Sequence, residues 1–209
     1  YGFSKDIKDS PTMTIAEFAE CARNGSECAY YALANPKEGT MISVIKDWAN
    51  NIYETKDDTD DFTTLLLGAL TVAMESLKQT GKFIAAKAKT IVDAGAKGFA
   101  VFLEGMCEYF NSGEKPVQIA EAEIVDSEWL GGINHEIITF RYCTEALLIG
   151  EELNREKISS LIETMGDCLV IAGSPKKMRL HIHTDEPWIV LEKVQTVGRV
   201  IYQKVEDMV

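Results

Sequence analysis

The sequence predicts an α+β protein, with an all-α first half resembling part of a helical barrel and a smaller β-α-β-β-α-β second half of ferredoxin-like arrangement. Three observations predict this. Through about residue 111, apolar residues recur every three and four positions, the period of an amphipathic helix. From about residue 135, apolar and polar residues alternate in short runs rich in Ile, Thr, Phe and Tyr, the period of a half-buried strand. Between them, Gly113, Pro116, Gly131 and Gly132 punctuate a short polar stretch, read as a linker over residues 112–134.

In the first half (1–111), Ile15, Phe18, Ala19 and Ala22 share one helical face, with Thr14 as N-cap and Glu17 completing a capping box. Met41, Ile42, Ile45, Trp48, Ala49 and Ile52 form a second stripe. Phe62, Leu65, Leu66, Ala69, Leu70, Ala73 and Leu77 form a third, and Phe99, Phe102, Leu103 and Met106 a fourth. Pro36, Gly39, Gly81 and Gly95 mark the breaks. In the second half (135–209), His135–Leu148 reads as a strand, Asn154–Thr164 as a helix and Leu169–Ala172 as a compact strand before a Gly173-Ser174-Pro175-Lys176 turn. Met178, Leu180 and Ile182 alternate with Arg179, His181 and His183 along a third strand. Pro187 opens a helix to about Val197 that Gly198 ends, and Val200–Val205 is a last strand.

Bulk properties narrow the function classes. Of 209 residues, 46% are apolar and 26% charged, the proportions of a folded globular chain. A net charge of −12 excludes the basic stripe that nucleic acid or an anionic membrane needs. No apolar run is long enough for a membrane span, and the first residues lack a signal pattern, so a cytoplasmic location is expected. The acidic run Asp57-Asp58-Thr59-Asp60-Asp61 precedes a helical stripe and reads as a solvated, helix-capping loop. The five cysteines, with no C-x-x-C pair, are expected to be reduced, and all except Cys143 to be small core residues.

Three constellations could carry chemistry. His181-x-His183 puts two imidazoles on one face of a strand. The first and third strands of a split β-α-β fold are neighbours, and a parallel pair would bring Cys143 to both histidines, a zinc-type donor set; a solvated H-x-H beside an unrelated cysteine is the alternative. Val92-Asp93-Ala94-Gly95-Ala96-Lys97-Gly98 is either an anion-binding helix start or an ordinary helix–Gly–helix turn. Thr40, in Pro36-Lys37-Glu38-Gly39-Thr40-Met41, caps a helix or touches a ligand. Glu145 and Asp185 are the carboxylates near the candidate metal ligands, and no residue stands out as a catalytic base.

Taken in order, these segments resemble the ATP-binding subunit of bacterial fatty acid kinase, a relative of the nucleotide-binding (DhaL-type) subunit of dihydroxyacetone kinase. The resemblance rests on Glu38-Gly39-Thr40-Met41, Val92 through Gly98, Glu104-Gly105-Met106, Tyr142-Cys143-Thr144-Glu145, Gly166-Asp167-Cys168-Leu169-Val170 and Arg179 through Pro187. The closing Tyr202–Met208 segment resembles the connector to a fused lipid-binding DegV-type domain. The resemblance implies ATP beside Thr40, Met41, Asp93, Ala94 and Gly95, and Zn²⁺ on Cys143, His181 and His183. It implies a kinase acting on the carboxylate of a fatty acid presented by a DegV-type partner or fused domain. Ala96 stands where many relatives carry Gly. The family's P-D-G-D-T-G motif for Mg²⁺ and its G-N-S-G phosphate loop do not occur here, so this chain alone is expected to be an inactive fragment of a longer kinase. A non-catalytic binding module and a small-polyol kinase are the rival readings. An exposed Phe62–Leu77 stripe, uncovered by missing helices, would favour self-association.

Overall fold

A computed structural model describes residues 1–5, 7, 11–84, 92–113 and 138–209, with residues 81–84 described by their backbone alone. The linker expected over 112–134 lies outside the described residues beyond Gly113. The described chain divides into two compact units. One is helical; the other takes residues 32–35 together with everything from Ile138 onward.

The helical unit contains α1 (Ile15–Ala32), α2 (Met41–Thr55), α3 (Phe62–Ile84) and α4 (Ala94–Ser112). Each start has a local cause. At α1 the Thr14 amide donates to Glu17 Oε2 at 2.9 Å, and the Glu17 amide donates to Thr14 Oγ1 at 3.2 Å, the reciprocal capping box. The acidic run ends in the cap of α3, where Asp61 accepts from the amides of Thr63 and Thr64 at 3.3 and 2.8 Å. At the far end of α4, Gly113 adopts φ 68° and donates to the Tyr109 carbonyl at 2.8 Å, a left-handed stop that a side chain would resist.

Val44, Ala49, Ile52, Leu66, Ala69, Ala73 and Leu103 are fully buried at the centre of this unit. Phe18 joins an aromatic cluster, edge-on to Phe3, Trp48 and Phe62 at centroid distances of 5.5, 6.3 and 5.6 Å. Two expectations change here. Gly81 does not break α3, which continues to Ile84 because one glycine costs a helix only about 1 kcal/mol. The stripe expected to be exposed is buried instead: Leu65, Leu66, Ala69, Ala73 and Leu77 pack within the unit's own core, so it offers no uncovered face.

The second unit contains β1 (Tyr142–Ile149), α5 (Arg155–Ile162), β2 (Asp167–Ser174), β3 (Lys177–Thr184), α6 (Pro187–Gln195) and β4 (Arg199–Asp207). The strands lie in the order β2-β3-β1-β4, each pair antiparallel. Alternation assigns their faces. Thr144, Ala146, Leu148, Met178, Leu180 and Ile182 point to one side and pack with Ile158, Ile162, Val190 and Val194 of the two helices. The opposite face carries Cys143, Glu145, Arg179, His181 and His183. Leu33 bridges Val170, and the Ala34 amide donates to the Leu169 carbonyl at 3.1 Å, pairing with the outer edge of β2.

β1 and β3 were expected to run parallel with Cys143 toward the end of β1; they are antiparallel, and Cys143 is the second residue of β1. A four-stranded split β-α-β sheet inserts β3 between β1 and β2, and the tight β2–β3 hairpin reverses its direction. The two differences compensate, and Cys143 faces His183 directly.

β2 departs from regular pairing at its start. Asp167 opposes His183, but Val170 opposes His181, so one extra residue is accommodated between them. Cys168 sits in this bulge at φ 54°. A Cβ on the preceding Gly166 would collide with the His183 carbonyl oxygen, which is why the chain can pass so close to β3 there. Of the four cysteines expected in the core, Cys21 and Cys107 are buried, Cys28 is half-buried and Cys168 is exposed, turned out by the bulge.

Leu148 is fully enclosed among the strands and both helices of this unit. Leu148→Ala should cost the second unit about 2–5 kcal/mol through lost transfer energy and the cavity left behind. Urea denaturation followed by near-ultraviolet circular dichroism will show this as an earlier transition; an unshifted midpoint would contradict the packing described.

Candidate functional site

Within the helical unit, the predicted ligand-binding residues converge on one side chain. Asp93 is the N-cap of α4, and its Oδ1 accepts from the Ala96 amide at 2.7 Å. The same oxygen accepts from the Met41 amide, the first residue of α2, at 3.1 Å. One carboxylate thus joins two helix N-termini that are 52 positions apart in sequence, and both helix dipoles favour its negative charge. Behind it, the Asp93 amide donates to Thr80 Oγ1 at 3.0 Å, and the buried Thr80 hydroxyl donates to the Leu77 carbonyl at 2.7 Å. Thr40 Oγ1 donates to the Lys37 carbonyl at 2.8 Å; the residue precedes α2 without capping it through its side chain. Gly95 lies against this junction, and an added Cβ would sit 3.4 Å from Asp93 Oδ1 and 3.5 Å from Met41 Sδ.

Thr40, Met41, Asp93, Ala94 and Gly95 therefore form one neighbourhood. Beside it lies a cavity of about 370 Å³ lined by Glu38, Ser43, Asp47, Glu75, Ser76 and Gln79 among others. Its carboxylates are held by hydroxyls: Ser43 Oγ donates to Glu38 at 2.7 Å, and Ser76 Oγ to Asp47 at 2.6 Å. The Ser43 hydrogen bond keeps the Glu38 carboxyl below the ordinary range.

In the second unit, the open face of the sheet gathers the predicted metal ligands. Cys143 Sγ and His181 Nδ1 are 3.7 Å apart, and the His181 and His183 rings are 5.0 Å apart. One ligand atom from each of Cys143, His181 and His183 falls within 4.8 Å of the others, and all three residues are half-buried. Burial, then the neighbouring His183, pushes the His181 imidazole pKa down and favours its neutral, ligating form. Burial, then the Glu145 charge, pushes the Cys143 thiol up, so a cation would be needed to hold it as thiolate.

Two carboxylates flank this set. Glu145 opposes His181 across the β1–β3 pair; its Oε1 is 3.8 Å from His181 Nδ1, and its Oε2 accepts from Arg179 at 2.8 Å. The Arg179 hydrogen bond lowers the Glu145 pKa and keeps it charged. On the other side, Asp167 Oδ1 is 3.5 Å from His183 Nδ1. Asp185, expected near the ligands, accepts from the Arg141 amide at 2.8 Å instead.

Comparison with known proteins then accounts for both units. A DAK2 domain model matches residues 1–108, and a model of the FakA-like middle domain, described from fatty acid kinase, matches residues 139–209. The chain belongs to the FakA-like fatty acid kinase family, with a DAK2 domain. Similar proteins occur in staphylococci. One of Staphylococcus epidermidis is 30% identical over 217 residues, covering 99% of this chain and 39% of its own length. One of Staphylococcus saprophyticus is 31% identical over 222 residues, with the same coverage. One of Staphylococcus aureus strain USA300 is 32% identical over 219 residues, covering 99% of this chain and 40% of its own length. All three are named only as uncharacterized proteins. The chain spans about two fifths of the length of these relatives.

Within this family member, sequence reasoning overlooked Asp167 and Cys168 as side chains of the open face. Gly166-Asp167-Cys168 lies in a segment that carried the resemblance, but strand alternation hides one of any two consecutive residues. It also overlooked Thr80, whose part depends on a contact 13 positions away.

Two outcomes follow from this geometry. Asp93→Ala should destabilise the helical unit by about 1–2 kcal/mol, the usual cost of a lost N-cap, with the Met41 amide losing the same acceptor; urea titration monitored by far-ultraviolet circular dichroism measures it. Because the folded state depresses the His181 pKa, the unfolded chain takes up that proton first as pH falls. The contribution is present above about 6.5 and is lost as pH drops through the folded-state value. The midpoint of the metal-free protein should therefore fall between pH 7.5 and 5, and His181→Asn should flatten that slope.

Proposed function

We propose that the chain is part of an ATP-dependent phosphotransferase of the cytoplasm that phosphorylates the carboxylate of a fatty acid, held by a DegV-type lipid-binding partner or fused domain. The observation that carries this reading is the order of the two family matches in one chain. A DAK2 domain precedes a middle domain described from fatty acid kinase. In the proposed reaction, a carboxylate oxygen attacks the γ-phosphorus of ATP. The bond from that phosphorus to the β–γ bridging oxygen breaks, and ADP leaves with the electron pair.

The helical unit supplies a nucleotide cradle in this reading, from Thr40, Met41, Asp93, Ala94 and Gly95. Support comes from the meeting of the α2 and α4 N-termini at Asp93. The amides of Ala94 and Gly95, in the first turn of α4, have no acceptor within the helix and suit an anion. The carboxylates that bind Mg²⁺ in the parent protein are proposed to lie outside this chain, which leaves the chain alone without phosphoryl transfer.

The donor set Cys143, His181 and His183 fits Zn²⁺. It joins a soft sulfur to two imidazoles at tetrahedral-ligand separations, with one position left for water. When bound, zinc would fix the start of β1 to the end of β3. His181 and His183 would be steadied by Glu145 and Asp167, as flanking carboxylates steady ligating histidines elsewhere.

The decisive assay uses the full-length protein with γ-labelled ATP and a fatty acid loaded on a DegV-type protein, trapping acyl phosphate with hydroxylamine. Label in the hydroxamate precursor, lost with Asp93→Ala, is the expected result; label on glycerone or another polyol and none on the acid would replace it. Protein purified without chelator or polyhistidine tag should contain about one zinc per chain. Cys143→Ser or His181→Ala should release it, and acid should do the same. Zinc content near zero in the native protein would remove the metal from the reading.

A further inference from the structure

We infer that the bulge at the start of β2 builds a second ligand set, Asp167, Cys168 and His183, for a borderline divalent cation such as Zn²⁺. This site goes beyond the zinc reading above and does not require the first set to be filled.

Regular alternation would send Cys168 into the core once Asp167 faces outward. The extra residue prevents this. With Asp167 opposite His183 and Val170 opposite His181, Leu169 takes the inward position and Cys168 is turned out. Two consecutive residues of β2 thereby reach the same solvent-facing side, an arrangement that bulges provide and unbroken strands cannot. Their ligand atoms and one of His183 all lie within 4.8 Å of one another. Asp167 Oδ1 is already 3.5 Å from His183 Nδ1.

The backbone adds an independent observation. Cys168 is the one described non-glycine residue with positive φ, at 54°. Glycine, or asparagine, adopts that conformation at lower cost than cysteine does. Such outliers persist where surrounding structure over-determines them, and they concentrate at ligand-binding positions. Here the strain is coupled to the outward turn of the thiol.

A carboxylate, a thiolate and an imidazole make a three-donor set with an open fourth position, suited to Zn²⁺, Cd²⁺ or Co²⁺ rather than to Mg²⁺ or Ca²⁺. His183 belongs to both sets, and a single ring nitrogen cannot ligate two ions. Filling of the two sets is therefore coupled through this residue, and an ion beside Cys168 needs the His183 nitrogen that the first set leaves unused.

Thiol protection in the full chain tests the proposal. Metal-free protein is treated with iodoacetamide at no zinc, one equivalent and excess zinc, and alkylation of each cysteine is followed by peptide mass spectrometry. Cys168 is exposed and should react readily without metal. Excess zinc should slow its alkylation about tenfold or more, and a chelator should restore it. Asp167→Ala should abolish most of the Cys168 protection while leaving Cys143 protected. Protection of Cys143 reports on the first set alone, so the two readings fail separately. Cys143 protected with Cys168 unchanged by excess zinc overturns the second site and leaves the first. Cys168 protected with Cys143 unchanged does the reverse. Full Cys168 protection in Asp167→Ala also overturns the proposed ligand set, and the wild-type rates decide the matter if that variant fails to fold.

Discussion

The antiparallel register of β1 against β3 is the constraint on which the second unit depends. Pairing Cys143 with His183 and Glu145 with His181 makes a ligand cluster out of residues almost 40 positions apart. A slip of one residue would turn Leu148 and Ala146 to solvent and drive Glu145 into the core, so burial enforces the register. Cross-strand partners reinforce it: Arg179 bridges to Glu145 from within β3. Arg141, just before β1, forms a two-pronged pair with Asp207 at the end of β4, its Nη2 at 2.7 Å from Oδ2, and its amide is held by Asp185. The site is thus fixed by the same pairings that fix the sheet.

In the helical unit a single carboxylate does comparable organising. Asp93 holds the first turns of α2 and α4 together, while Thr80 holds Asp93 from behind. Hydrogen bonds made before any ligand arrives lower the ordering entropy that binding would otherwise have to overcome. The neighbouring cavity is acidic and hydroxyl-lined, so a polyanion would be placed at the helix termini rather than within it.

Local rules made much of this readable from sequence. The capping box at Thr14 and Glu17 and the cap at Asp61 depend only on neighbours within a few residues. The alternation around Leu180 and Ile182 reveals the buried face of β3 without knowledge of its partner. What escaped depends on distant pairing. The direction of β1 relative to β3 follows from where a third strand inserts, and the start of β1 at Tyr142 from which residues find a ladder partner. Gly81 illustrates the opposite limit, because tertiary packing carried α3 through a residue that local propensity marks as a break. The exposure of Cys168 required knowing that one strand has a residue more than its neighbour, and composition carries no trace of that.

The even- and odd-numbered positions of β1 and β3 have separate duties. Even positions, from 144 to 148 and from 178 to 184, make the core; odd positions, 143, 145, 179, 181 and 183, carry every polar and ligating group that these two strands give to the open face. Parity therefore divides the selective pressures. Substitutions at odd positions can remove, exchange or relocate metal ligands with little effect on the fold, and those at even positions can drift in volume without disturbing the chemistry. Among descendants of one such sheet, ligand sets should differ far more than cores, and loss of metal binding should leave a stable domain rather than an unfolded one.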